Sequence, residues 1–149
     1  MRKWLFILAV VGIFAAGTYS YLNNREVRVI AVHHDNYTVE VLVDHLPISA
    51  SASIKWWVEN QNSIFSKSNI ISKNNGGPDY ITIFAFGDGY KKEGKEDRLC
   101  FDDIKAPVNC IDKDILMTIS SNRNGESRFS FERSTYIITN DGKLIETDQ

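Results

Sequence analysis

The sequence predicts an α+β protein: an N-terminal transmembrane helix followed by one domain, with a mainly antiparallel sheet of six to eight strands and one main helix. Three observations predict it. Residues 4–22, WLFILAVVGIFAAGTYSYL, run for nineteen positions without a charge. Short β-branched and aromatic runs recur from Val27 to Glu146, punctuated by Gly, Asn and Asp. Between them, Ser49–Phe65 carries its apolar residues at helical spacing.

The charge-free run comes first. At ~1.5 Å per residue, nineteen helical residues reach about 28 Å, close to the ~30 Å hydrocarbon core of a bilayer. A cleaved signal peptide competes with this reading, because Ala15-Ala16-Gly17 offers small residues behind the basic start Arg2-Lys3. The run continues through Tyr19, Tyr21 and Leu22, beyond a usual signal core, and its aromatic residues suit a headgroup zone. Residues 1–22 are therefore read as an anchor and 23–149 as one exported domain. Arg2 and Lys3 stay on the cytoplasmic side, although Arg25 and Arg28 on the far flank nearly balance them.

The exported part is long enough to bury a core. It carries fifteen basic against nineteen acidic residues, so nucleic acid, which needs a clustered basic surface, is not an expected partner.

Within the domain, Val27–Val32 and Tyr37–Val43 read as a hairpin across His33-His34-Asp35-Asn36. A two-residue Asp35-Asn36 turn would set Ile30 opposite Val41 and Val32 opposite Val39, giving one apolar face. Pro47 ends the hairpin. The helix over Ser49–Phe65 has Ser51 or Ser53 as N-cap candidates, and Ile54, Trp57, Val58 and Phe65 share one face. Ser66–Asp79 is polar, with Gly76-Gly77-Pro78 as a breaker, and is expected to be an exposed loop. Tyr80–Phe86 is almost wholly apolar, as a central strand should be. Further strands are expected at Arg98–Phe101, Ile115–Ser120, Arg128–Arg133, Tyr136–Thr139 and Lys143–Glu146. Asn124-Gly125 and Asp141-Gly142 serve as turns.

Chemical motifs are few. His33, His34 and His45 are the only histidines; the predicted register puts His45 seven residues from His33 along the strand, about 23 Å at ~3.3 Å per residue. They do not converge on a metal, and His33 and His34 fit a solvated turn. The acidic segment from Asp88 to Asp114 lacks the alternating ligands of a calcium loop, since Gly87-Asp88-Gly89-Tyr90 is followed by two lysines. No G-x-S-x-G, H-E-x-x-H or Cys/His nucleophile pattern is present. A paired-carboxylate hydrolase would require Asp88, Asp102 or Asp103 to meet a second carboxylate in a cleft. Trp56-Trp57 could stack a sugar, but on an amphipathic helix one of them belongs in the core. Neither an enzyme nor a cofactor is expected.

The two cysteines close RLCFDDIKAPVNC, Cys100 to Cys110. Zinc would need two more ligands, and a redox motif two intervening residues rather than nine. Outside the cytoplasm the thiols should pair and hold Asp102, Asp103 and Lys105 in a fixed loop beside Gly87-Asp88-Gly89-Tyr90. Asp88, Tyr90, Asp102, Asp103 and Lys105 are the candidate partner-binding residues.

Ile54-Lys55-Trp56-Trp57 and, above all, GDGYKKEGKEDRLCFDD from Gly87 to Asp103 resemble an enterobacterial membrane-protein family, the domain of unknown function numbered 943. The resemblance extends over nearly the whole chain. It implies a bacterial inner-membrane protein with its C-terminal domain in the periplasm, and it carries no catalytic residue. The expected function is binding of a periplasmic protein without catalysis, as an immunity-type protein against an envelope-targeted toxin. The alternative is an accessory or assembly subunit of an envelope membrane complex.

Overall fold

The computed structural model describes residues 1–71 and 77–148. Helix α1, Arg2–Asn24, contains no buried residue. It is the one helix among the described residues long and apolar enough to cross a membrane, and it presents Trp4, Leu5, Phe6, Leu8, Ile13 and Phe14 outward.

The hairpin expected after it forms, in a different register. Strands β1 (Val29–His34) and β2 (Thr38–Val43) pair with Val32 opposite Val41 and His34 opposite Val39. The turn is longer than two residues because the Asp35 carboxylate accepts the N–H groups of Tyr37 (2.7 Å) and Thr38 (2.8 Å). This local side-chain capture competes with a tight turn and holds the Asp35 carboxyl below its usual pKa. The register moves by two residues, so the core face is preserved. Ile30 falls at an irregularity between Val29 and Ala31 and is exposed.

Helix α2 spans Ala50–Lys67. Its N-cap is Ser49, whose Oγ accepts from the Ala52 N–H at 3.2 Å. Ser53, a predicted cap, is buried instead and donates to the Pro47 carbonyl at 2.9 Å. The buried stripe is Ser53, Ile54, Trp57, Ile64 and Phe65, whereas Val58 is 43% exposed. At ~100° per residue the stripe centres nearer Trp57 than Ile54, which brings Ile64 in and leaves Val58 at the rim. The helix includes Ser66 and Lys67, shortening the expected loop, of which Ser72–Gly76 lie outside the described residues.

Strand β3 (Tyr80–Ala85) is central, as its composition requires, but it runs parallel to β2, with α2 as the crossover. The chain then leaves the main sheet for β4 (Lys91–Lys92), β5 (Arg98–Cys100) and β6 (Val108–Asp112), a separate three-stranded sheet ordered β4-β6-β5. It returns as β7 (Ile115–Ser121), antiparallel to β3, and continues through β8 (Ser127–Ser130), β9 (Thr135–Ile138) and β10 (Leu144–Thr147). The main sheet is seven-stranded, β1-β2-β3-β7-β8-β9-β10. Its Asn-Gly and Asp-Gly turns form, with Gly125 at φ +78° and Gly142 at φ +84°.

The two sheet faces bury different sets. Val39, Val41, Val43, Ile81, Ile83, Met117 and Phe129 pack with Trp57 and Phe65 of α2. On the opposite face, Leu42 and Phe84 meet Phe101 and Ile111 of the small sheet. Trp57→Ala should cost about 3–5 kcal/mol in chemical denaturation of the full chain. The matching Val58→Ala change should stay within ~0.5 kcal/mol.

Candidate functional site

The small sheet and the turn before it form a built surface on the face opposite α2. Gly89 has φ +89°, and a Cβ there would meet the Phe86 ring at 3.5 Å. The Gly89 N–H bonds the Phe86 carbonyl (2.9 Å), so the turn folds Tyr90 edge-on against Phe86, ring centroids 5.1 Å apart. Next, Cys100 and Cys110 occupy directly opposed positions on β5 and β6 and are bonded, Sγ–Sγ 2.07 Å. Beyond the bridge the Phe101 N–H donates to the Asn109 carbonyl (2.9 Å), and Asn109 Nδ2 donates back to the Phe101 carbonyl (3.0 Å).

This hairpin meets the end of β1 at His33. Phe101 stacks on the imidazole at 3.8 Å and 16°. Asp103 brings both carboxylate oxygens to Nδ1, at 2.7 and 2.9 Å, and the Tyr90 hydroxyl lies 2.9 Å from Nε2. A carboxylate can only accept, which places a proton on Nδ1; a neutral ring then accepts from the Tyr90 O–H at Nε2. Burial first, and then the Asp103 charge, pushes the Tyr90 phenol above its ordinary pKa. Both ring nitrogens are thereby occupied within the fold.

The solvated-turn expectation for His33 is corrected: it is 4% exposed and lies in a strand, whereas His34 is exposed. The strand simply continues two residues past Val32. His45 lies apart, with Nε2 3.4 Å from the Arg25 carbonyl and Nδ1 3.0 Å from an Asp44 oxygen, off the direction of a hydrogen bond. Among the described residues no three His, Cys, Asp or Glu side chains gather where they could hold a metal.

Of the predicted binding residues, Tyr90 and Asp103 are brought together through His33. Asp88 is exposed and lies 3.5 Å from Lys91 Nζ. Asp102 and Lys105 are exposed on the disulfide loop and make no hydrogen bond or ion pair among the described residues. Sequence reasoning missed Asp112, which joins the strands of the small sheet: Lys91 Nζ lies at 2.6 Å and Arg98 Nε at 3.0 Å from its two oxygens. Lys91, then Arg98, holds the Asp112 carboxyl below the usual range, while Asp112 raises the Lys91 pKa. Beside His33, its cross-strand neighbour Glu40 is half-buried and accepts from Thr38 Oγ1 at 3.0 Å. Burial raises the Glu40 pKa.

An apolar unburied helix joined to a disulfide-braced α+β domain defines the class: a membrane protein with one N-terminal candidate span. The chain belongs to the family described as "Enterobacterial putative membrane protein (DUF943)", whose sequence profile matches residues 1–148. No curated protein and no solved structure matches it.

Three outcomes are expected. The Cys100→Ser/Cys110→Ser double variant should lose about 3 kcal/mol for its ~11-residue loop in non-reducing denaturation. His33→Leu removes a charge-assisted hydrogen bond and should cost about 1–3 kcal/mol, with faster hydrogen exchange at the Phe101 and Ile104 amides. The acid limb follows from two carboxyls shifted in opposite directions. Asp112, depressed in the folded state, adds stability above the unfolded carboxylate range near pH ~4, which is lost as pH falls through its lower folded value. Glu40, raised, favours folding below that range and opposes it above. Glu40→Gln should therefore raise the melting temperature at pH 7 but not at pH 3, and Asp112→Asn should lower it at pH 7 and by less at pH 3.

Proposed function

We propose that this chain is an inner-membrane protein whose domain faces the periplasm and binds a protein partner without catalysis, as an immunity-type protein that neutralises an envelope-targeted toxin. The observation that carries this reading is the construction of the disulfide loop. The Cys100–Cys110 bond and the His33 contacts fix its backbone, while Asp102 and Lys105 stay free and Asp103, held on His33, is still 61% exposed. A loop held rigid with charged side chains free loses little entropy on binding, and its charges steer a basic partner. Catalysis finds less support. The imidazole is spent on Asp103 and Tyr90, and the phenol holds its proton more tightly than usual.

Co-expression with the toxin encoded beside it should protect the cell, and the complex should co-purify. Asp102→Lys/Lys105→Glu should weaken that complex at least tenfold in a pull-down titration while leaving the melting temperature within about 2 °C. No protection and no complex would count against the reading.

The second reading, an accessory or assembly subunit of an envelope complex, rests on one contact. Asn23, in the last turn of α1, accepts through Oδ1 from both the N–H (2.9 Å) and Oγ (3.0 Å) of Ser49, the cap of α2. The anchor is joined to the domain and is not a loose tether. Replacing residues 1–22 with a cleavable signal separates the two: an immunity protein keeps its protection, and a membrane-complex subunit fails.

A further inference from the structure

A second site lies on the α2 side of the sheet, away from the disulfide loop. Between the segment leaving α1 and helix α2 is a groove of about 630 Å³, walled in part by Arg25, Arg28, Trp56, Asn60, Ser63 and Lys67. The side chains of Arg25, Arg28 and Lys67 make no hydrogen bond or ion pair among the described residues. All three are exposed at the surface and border the same concavity. Glu26 and Asp44 also line the groove. Asp44, however, already accepts the N–H groups of Arg28 (2.8 Å) and His45 (2.9 Å), so its charge is engaged by the backbone.

The position of the groove defines what reaches it. Arg25 and Arg28 follow Leu22 by three and six residues, so even a fully extended link keeps Arg28 within about 20 Å of the apolar run. An adjoining cavity of about 320 Å³ shares Arg25, Glu26, Trp56 and Asn60 and reaches back to Asn23 and Asn24, where α1 ends. With α1 in a bilayer, the groove opens at the headgroup layer. Its contents suit a phosphate: guanidinium groups form forked hydrogen bonds to phosphate oxygens, and a half-buried indole is at home at a membrane interface. The Asn60 Nδ2 is taken by the Trp56 carbonyl (2.8 Å), which leaves the Asn60 amide oxygen as an acceptor for a headgroup hydroxyl.

We infer that this groove binds the phosphate of an anionic membrane phospholipid, with Arg25, Arg28 and Lys67 around the phosphate and Trp56 beside the glycerol. Anionic lipid then clamps the domain against the membrane that holds α1. The site is independent of the disulfide loop, and so is its test.

The full chain in detergent is titrated with phosphatidylglycerol, phosphatidylcholine or free glycerol phosphate, and retained ligand is counted by native mass spectrometry. One phosphatidylglycerol should be retained, at least fivefold more tightly than phosphatidylcholine. Arg28→Gln/Lys67→Gln should weaken it tenfold or more, and Arg28→Lys/Lys67→Arg should keep it. Asp102→Lys/Lys105→Glu should leave lipid binding unchanged, so that failure here is distinct from failure to bind a toxin. Equal retention of the two lipids, or wild-type retention by the Gln variant with an unchanged melting temperature, would overturn the inference. Binding of glycerol phosphate as tight as that of the lipid would overturn the membrane source and make this a site for a soluble anion.

Discussion

A seven-stranded sheet has two faces, and among the described residues the domain has one helix with which to cover them. Everything else in the fold answers that shortage. Helix α2 takes one face with Trp57 and Phe65. The other face would leave Leu42 and Phe84 in water, each worth about 1.5–3 kcal/mol of burial. The chain meets this by leaving the sheet between β3 and β7 and laying Phe101 and Ile111 over them. The central strands are thereby buried on both sides, which is the condition under which a parallel pair such as β2–β3 is stable.

That cover is too small to hold itself together. Its strands have two, three and five residues, well short of an independent sheet. Three devices compensate, and each acts on a different part. The disulfide joins β5 to β6, Asp112 joins both flanking strands through Arg98 and Lys91, and His33 fastens the loop and Tyr90 to β1. The histidine is the one that crosses from cover to sheet by polar contact, and its cost of burial is met because both nitrogens are bonded. The side chains that perform this bracing leave Asp102 and Lys105 unengaged. The same construction therefore yields both stability and a rigid charged loop.

The layers of the fold were legible wherever local pattern decides structure. A charge-free run marked α1, helical spacing marked Trp57 as the anchor of α2, and Asn-Gly and Asp-Gly marked the turns. What escaped detection is set by partners distant in sequence. Lys91–Lys92 and Val108–Asp112 lack apolar alternation and are strands only because they pair with each other and Val108–Asp112 pairs in turn with Arg98–Cys100. The crossover helix α2 was signalled locally, but that its flanking strands lie side by side in the sheet, parallel, is a long-range choice that no local signal encodes. His33 looked like part of a turn because His-His-Asp-Asn is a turn composition, and its role depends on Asp103, seventy residues away. The sole local clue was that the strand-like run Val27–Val32 reaches it with no turn residue between. In the candidate site, then, the disulfide and the loop it constrains were readable from cysteine count and the expected compartment, and the histidine that fastens the loop was not.

The same logic assigns α1 its environment. A helix that turns Trp4, Leu5, Phe6, Ile7, Leu8, Val11, Ile13 and Phe14 outward, with nothing packed over it, exposes far more contiguous apolar surface than a soluble monomer tolerates. A bilayer is the solvent that relieves this. The domain does not hang freely from such an anchor, because Asn23 of α1 is hydrogen-bonded to the cap residue of α2. With α1 in a bilayer, the Arg25-to-Lys67 groove lies beside the membrane exit, and the His33 end of β1 lies about 17 Å further along the strand from Arg28, at ~3.3 Å per residue. An acidic domain near an anionic surface is repelled by it. In that setting the exposed arginines after α1 would offset the repulsion at the point of closest approach, and the carboxylates of the disulfide loop stay at the other end of the strand.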